Sequence, residues 1–209
     1  MPTKVIVFDL WNTLVYDPSK ENHEKIARLL GFEDKKEMWG HLEKYFMHKK
    51  TSFYDYVKEL IRKKKLPKET FNEIEKLWED CKKYVDIFPD TIKTLDKLKR
   101  KYKLALLSNT AVEEGNEIIS RFGLKKYFDY IVFSCAVGLS KPDPEIFRLI
   151  LNHFKIKPEE AVMIGDTLEI DILPAKLLGF KTILVDSKGK YTDCKDEEWC
   201  VSSLNELKL

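Results

Sequence analysis

The chain has no glutamine, and only 8 glycines, 8 prolines and 4 cysteines among its 209 residues. Each scarcity excludes something. So little Gly and Pro rules out collagen-like and low-complexity chains. The cysteines, at 81, 135, 194 and 200, include no C-x-x-C pair, which removes the zinc-ribbon and thioredoxin-like patterns. Cys194 and Cys200 are close enough to invite a disulfide or a metal, but Cys200 opens CVSSL, a small apolar strand position. Structural burial is the expectation there, with a bridge or a metal as alternatives. The missing glutamine, beside many lysines, is a composition that suits a heat-adapted source.

Long hydrophobic runs are also absent. No stretch approaches 18 apolar residues, and the start of the chain lacks the basic-then-apolar pattern of a signal peptide. The expectation is a cytoplasmic protein without membrane contact. Neither sign of charge dominates: 37 Lys and Arg face 35 Asp and Glu, a formal net charge of +2. Runs such as RKKK at 62–65 and KRKYK at 99–103 read as solvated helix ends. No arm or stripe gathers basic charge, so no nucleic-acid partner is expected.

What is present is 44% apolar and 34% charged residues, a globular composition with enough chain for one sizeable core. KVIVFDL (4–10), KLALLSN (103–109), DYIVFS (129–134), AVMIGD (161–166) and KTILVD (181–186) are near-continuous β-rich runs, the pattern of parallel strands buried on both faces. Helical periodicity fills the intervals at 91–100, 113–122, 144–154 and 172–178, and WCVSSLNEL reads as a closing strand and a brief helix. This alternation predicts an α/β fold, a Rossmann-like doubly wound parallel sheet. Residues 17–86 break the rhythm with four amphipathic helical patterns and no convincing strand. The predicted organisation is a core of 1–16 and 87–209 with an inserted all-helical cap, 17–86. The insertion follows the carboxyl end of the first strand, where open α/β sheets bind ligands.

Polar residues collect at the predicted strand ends. Asp9 follows the first strand, with Thr13 four residues on; Ser108 and Asn109 end the second; Lys141 lies after the third, in GLSKPDP; Asp166 ends the fourth. A carboxylate directly after a buried strand is costly unless paired or bound to a metal, so Asp9 and Asp166 read as site residues, with Lys141 neutralising the pair. Ser108 and Asn109 read as anion contacts, and backbone amides of residues 10–13 as further donors. Asp171 is either a metal-site group or the N-cap of the helix starting at Ile172.

FDLWNTL, LLSNT (106–110), SKPDPEIF (140–147) and GDTLEID (165–171) resemble, in order, the four signatures of the haloacid dehalogenase-like (HAD) hydrolase superfamily, and the insertion resembles its helical cap. The resemblance implies that Asp9 is a nucleophile forming a covalent aspartyl intermediate, that Ser108 binds phosphate with Asn109 beside it, and that Lys141 steadies the nucleophile and the substrate's charge. It also implies Mg²⁺ held by Asp9, Asp166 and the Trp11 backbone carbonyl, with Asp171 a ligand or just behind.

Trp11 departs from the family's phosphatase form, which has a second Asp there as general acid and base. An indole does neither job. The haloacid dehalogenases carry an aromatic residue here, but they are metal-independent and lack the Gly165-Asp166 arrangement; they also use a cap Arg, for which Arg28 is the candidate in the early cap. His23, His41 and His48 are the cap residues that could replace the lost acid. The leading expectation is a Mg²⁺-dependent phosphatase acting on a small phosphorylated metabolite, as monomer or homodimer. The alternatives are a metal-independent 2-haloacid dehalogenase and a catalytically weak binding module.

Overall fold

A computed structural model of the chain describes residues 1–191 and 199–209. The chain runs β1 (Val5–Phe8), β2 (Val15–Tyr16), α1 (Lys20–Leu29), α2 (Lys35–Tyr45), α3 (Phe53–Lys64), α4 (Thr70–Tyr84), β3 (Asp86–Ile87), α5 (Thr91–Lys99) and β4 (Lys103–Ser108). It continues through α6 (Val112–Arg121), β5 (Tyr130–Phe133), α7 (Ser134–Val137), α8 (Pro144–Phe154), β6 (Ala161–Gly165), α9 (Leu173–Leu177), β7 (Lys181–Val185) and β8 (Cys200–Val201).

Six strands form one parallel sheet in the order β5-β4-β1-β6-β7-β8. Strand alternation explains why helices cover both faces. Ile6 and Phe8 of β1 pack with Leu95 and Leu98 of α5 and Ile118 and Ile119 of α6. Val5 and Val7 point the other way, onto Ile146, Phe147 and Ile150 of α8 and Ala175 of α9. The chain steps from β1 out to β4 and β5, then returns to the other side of β1 at β6. That reversal makes the carboxyl end of β1 the topological switch point of the sheet.

The insertion holds the four expected helices. Their apolar stripes (Ile26 and Leu30, Met38 and Leu42, Val57 and Ile61, Ile74 and Trp78) close on one another in a separate core, with Phe53 stacked on Trp78 at 3.9 Å between ring centroids. Asp34 and Ser52 start α2 and α3 by accepting the amides of Glu37 and Asp55. The link between β1 and the insertion differs from expectation. The chain leaves through β2 and returns through β3, and the two pair antiparallel as a short stalk. Two residues per strand are too few to show a period in sequence. The insertion also rests on the core directly: Ala111 and Cys135 belong to its apolar cluster, and the Cys135 thiol lies 3.6 Å from the Met47 carbonyl.

The closing strand and brief helix are present as β8 and a 3₁₀ turn at Leu204–Glu206. Cys200 is half-buried and disulfide-bonded, not simply packed; Cys194 lies outside the described residues. Among the described residues, no helix is long and apolar enough to cross a membrane.

Candidate active site

Register carries the predicted residues to one place. Phe8 pairs with Leu106 on one side and Ile164 on the other, so Asp9, Ser108 and Asp166 all emerge at the same edge. Asp9 stays tied to the sheet, its amide donating to the Ile164 carbonyl at 2.9 Å. Beyond it the backbone turns sharply: Asn12 takes a left-handed φ of 57°, and its amide donates to Val15 at 2.6 Å. The short polar side chain of Asn makes that conformation inexpensive. Among the described residues, the amides of Trp11 and Thr13 have no hydrogen-bond partner in this turn.

Lys141 is the hub. Its Nζ lies 2.6 Å from Asp9 Oδ1 and 2.6 Å from Asp171 Oδ1, and all three residues are buried. The sequence reading paired Lys141 with Asp9 and Asp166; in the structure it bridges Asp9 and Asp171 instead. The reason lies in a π-helical turn at Leu168–Ile172, which swings Asp171 back under β6. There its second oxygen accepts the Thr167 amide at 3.1 Å. Asp171 therefore caps no helix, and the N-cap of α9 is Ile172. Gly165 makes the turn possible: a Cβ on it would lie 2.5 Å from the Asp171 Cβ and Cγ.

Asn109 holds the backbone of Lys141. Its Oδ1 accepts the Lys141 amide and its Nδ2 donates to the Lys141 carbonyl, each at 2.9 Å. Its side chain thus positions the Lys141 backbone as well as standing beside Ser108. Asp143 opens α8 by accepting the Glu145 amide, with Pro144 in the first turn, which anchors the Lys141 loop from its other side.

Charge at this spot is incompletely neutralised. Asp9, Asp166 and Asp171 bring ligand oxygens within 4.8 Å of one another. Burial, opposed by Lys141 but reinforced by Asp171 and Asp166, pushes the Asp9 carboxyl up to about 7. Asp166 is also raised, by burial first and then by Asp171. Burial pulls the Lys141 ammonium down, but Asp171 and Asp9 outweigh it and leave it above its ordinary value. Three clustered carboxylates are a hard oxygen donor set, and the deficit of positive charge fits a divalent cation there.

Sequence reasoning missed two lysines. Lys190 Nζ lies 3.5 Å from Asp166 Oδ2, and Lys188 Nζ donates to Asn12 Oδ1 at 2.6 Å. Both come from the loop after β7, and nothing in SKGKY marks them in sequence. The cap candidates make other contacts. His23 pairs with Asp17, His41 meets the Tyr56 hydroxyl at 3.0 Å, and the His48 carbonyl faces Gly138. Arg28 is solvent-exposed on α1. A hollow of about 240 Å³ lined by His41, Tyr56 and Leu60 lies within the insertion, apart from the carboxylates.

A parallel sheet with buried carboxylates and a lysine at its switch point, beneath an inserted helical cap, defines a class of α/β hydrolase. The chain belongs to the haloacid dehalogenase-like hydrolase family, whose model matches residues 3–179. It is 38% identical over 121 residues to glyceraldehyde 3-phosphate phosphatase of Methanocaldococcus jannaschii, a match covering 57% of this chain and 53% of that protein. The chain thus spans about half the length of that relative. Phosphoglycolate phosphatase of Aquifex aeolicus is 32% identical over 190 residues, covering 87% of this chain and 84% of that one. Among solved structures, a HAD phosphatase from Thermococcus onnurineus superposes with a TM-score of 0.67 at 25% identity, over 98% of this chain and 95% of that one.

Proposed function

We propose that the chain is a Mg²⁺-dependent phosphatase using Asp9 as nucleophile on a small phosphorylated metabolite. One observation carries this reading. Thr13 Oγ1 and Ser108 Oγ are buried without a hydrogen-bond partner, one in the turn after Asp9 and the other at the end of the neighbouring strand. A buried unsatisfied hydroxyl costs about 1–3 kcal/mol, so a pair of them at the mouth of this cluster is accounted for by an anion whose oxygens they would bind.

In this reading Asp9 attacks phosphorus. The Asp9–phosphorus bond forms as the ester bond breaks, and the leaving oxygen takes a proton from solvent, since Trp11 has none to give. Water then attacks the aspartyl phosphate, releasing phosphate and restoring the carboxylate. Lys141 holds Asp9 in place and, with Thr13, Ser108 and the Trp11 and Thr13 amides, offsets phosphate charge. Asp9, Asp166 and the Trp11 carbonyl would hold Mg²⁺, with Asp171 adjoining, and the ion when bound supplies charge neutralisation between phosphate and carboxylates. Loss of a general acid slows the reaction by about 10²–10⁴-fold, a cost that good leaving groups such as aryl or acyl phosphates largely escape.

The relatives named for glyceraldehyde 3-phosphate and phosphoglycolate support a small phosphorylated substrate. We take residues 17–86 as the cap, 1–16 and 87–209 as the core, and the protein as cytoplasmic, monomeric or homodimeric. Trp11 alone favours a second reading, a metal-independent 2-haloacid dehalogenase, because a halide leaves without a proton. The retained Asp166 and the exposure of Arg28 weigh against it.

The test is p-nitrophenyl phosphate hydrolysis with Mg²⁺ or EDTA, on wild type and D9N, beside chloride release from 2-chloropropionate. Metal-dependent turnover lost in D9N is expected. Chloride release indifferent to EDTA would establish the dehalogenase. Silence in both, and across a wider phosphate panel, would leave a binding module.

A further inference from the structure

A second cluster of ligand atoms lies at the root of the insertion, built from residues the phosphatase reading does not use. Asp17 follows β2 where the chain leaves the core, His23 sits in the first turns of α1, and Cys81 lies in the last turn of α4 where the chain returns. One ligand atom from each falls within 4.8 Å of the others, with His23 and Cys81 buried and Asp17 half-buried. The two that make an ion pair, His23 Nε2 and Asp17 Oδ2, are 3.2 Å apart. Donors around a tetrahedral ion with bonds of about 2.0–2.3 Å stand roughly 3.3–3.8 Å from one another, so only a small contraction separates this cluster from a coordination shell.

Two further features point the same way. Ser19 occupies the N-cap of α1 but makes no capping hydrogen bond, although serine ordinarily does so there. Its Oγ is instead shut off from solvent without a partner of good geometry, beside the Asp17 carboxylate and the Cys81 thiol. The His23 ring is also fixed before any ligand arrives, edge-on to Trp39 at 5.4 Å and tilted against Trp78 at 5.9 Å between centroids. That packing restrains the ring, whose Nε2 already faces the Asp17 carboxylate.

We propose that Asp17, His23 and Cys81 form a metal site for a borderline-soft divalent cation of the Zn²⁺ class, with Ser19 Oγ or a water in the fourth position. Thiolate and imidazole donors select against Mg²⁺ and Ca²⁺, so this site is chemically distinct from the carboxylate cluster at Asp9. The ion would tie the departing stalk to the returning helix and so fix the insertion's root on the core. A part-buried Asp–His pair beside an inert buried cysteine is the competing description. In the metal-free protein burial and the nearby Asp17 push the Cys81 thiol up to about 12. Coordination must displace that proton, which calls for mildly alkaline solution.

The test uses the full chain, stripped with EDTA and titrated with Co²⁺ without reductant, followed by absorption. A near-ultraviolet thiolate-to-cobalt charge-transfer band, saturating at about one ion per chain, is expected. C81S should abolish it and H23Q should weaken cobalt binding at least tenfold. C135S and D166N should retain it, which separates this site from the other described buried thiol and from the Asp9 cluster. Absence of the band in wild type, or its persistence in C81S, would overturn the proposal. Should C81S fail to fold, H23Q decides: unchanged cobalt affinity there overturns it, and a tenfold loss with the fold intact by circular dichroism supports it.

Discussion

Asn109 grips Lys141 by the backbone, accepting its amide and donating to its carbonyl at 2.9 Å each way. This links the end of β4 to the loop before α8, and it places the Lys141 ammonium between Asp9 and Asp171 without Asn109 touching either carboxylate. N109A would leave two part-buried backbone groups unpaired and free the loop to shift. We expect a destabilisation of about 1–3 kcal/mol and a fall in kcat/KM of about 10²-fold. Urea melts and p-nitrophenyl phosphate kinetics, run where the variant is folded, check both.

Gly165 is expected to tolerate no side chain. In G165A the added Cβ would meet Asp171 at 2.5 Å, and Asp171 cannot retreat without losing Lys141 and the Thr167 amide. Overpacking of this kind costs about 1–3 kcal/mol. Activity should fall further than stability alone explains, because the ammonium would lose one of its two anchors. Thermal melts and turnover measured on the same preparation separate the two effects.

The contribution of Asp9 to the stability of the metal-free protein should fall as pH rises. Burial lifts the Asp9 carboxyl from 3.8 to about 7, so the folded state holds that proton more tightly than the unfolded state does. Its contribution is fully present below about pH 4 and is lost as pH climbs through about 7. D9N should show a shallower slope than the metal-free wild type, part of the dependence persisting because buried Glu114 is also raised to about 7. Urea unfolding across pH in EDTA measures it. Added Mg²⁺ should raise the wild type and leave D9N nearly unchanged.

The two orphan hydroxyls should respond oppositely in stability and in binding. T13V and S108A each remove a buried oxygen that has no partner, so the metal-free fold should be unchanged or up to about 1 kcal/mol more stable. Inhibition by inorganic phosphate should weaken about tenfold or more in each, the loss expected for one hydrogen bond to a charged group. Melting curves and phosphate inhibition constants on both variants provide the check.

Much of this was legible in sequence because the signals are local. A buried parallel strand must be apolar throughout, so all five main strands stand out as runs, and the 3.6-residue stripes of α1 to α4 distinguish the insertion from its surroundings. Asp9, Ser108 and Asp166 were visible as polar residues at strand ends, since adjacent parallel strands bring those ends to one edge. The β2–β3 stalk was hidden because its strands are too short to show a period, and Lys188 and Lys190 because lysines in a surface loop are unremarkable in any sequence.

The sequence by itself thus determined the order of elements, the insertion and the identity of the polar groups at the sheet's crest, for each follows from neighbours a few residues apart. Only the tertiary structure decided which groups meet. That Lys141 bridges Asp9 and Asp171 and not Asp166, and that Asn109 serves Lys141, depends on a π-helical turn and on contacts spanning 30 to 132 residues of chain. Asp17, His23 and Cys81 converge for the same reason. Hydrogen bonds and ion pairs are short-ranged in space and indifferent to separation along the chain, so pairing among several candidate charges is settled by packing.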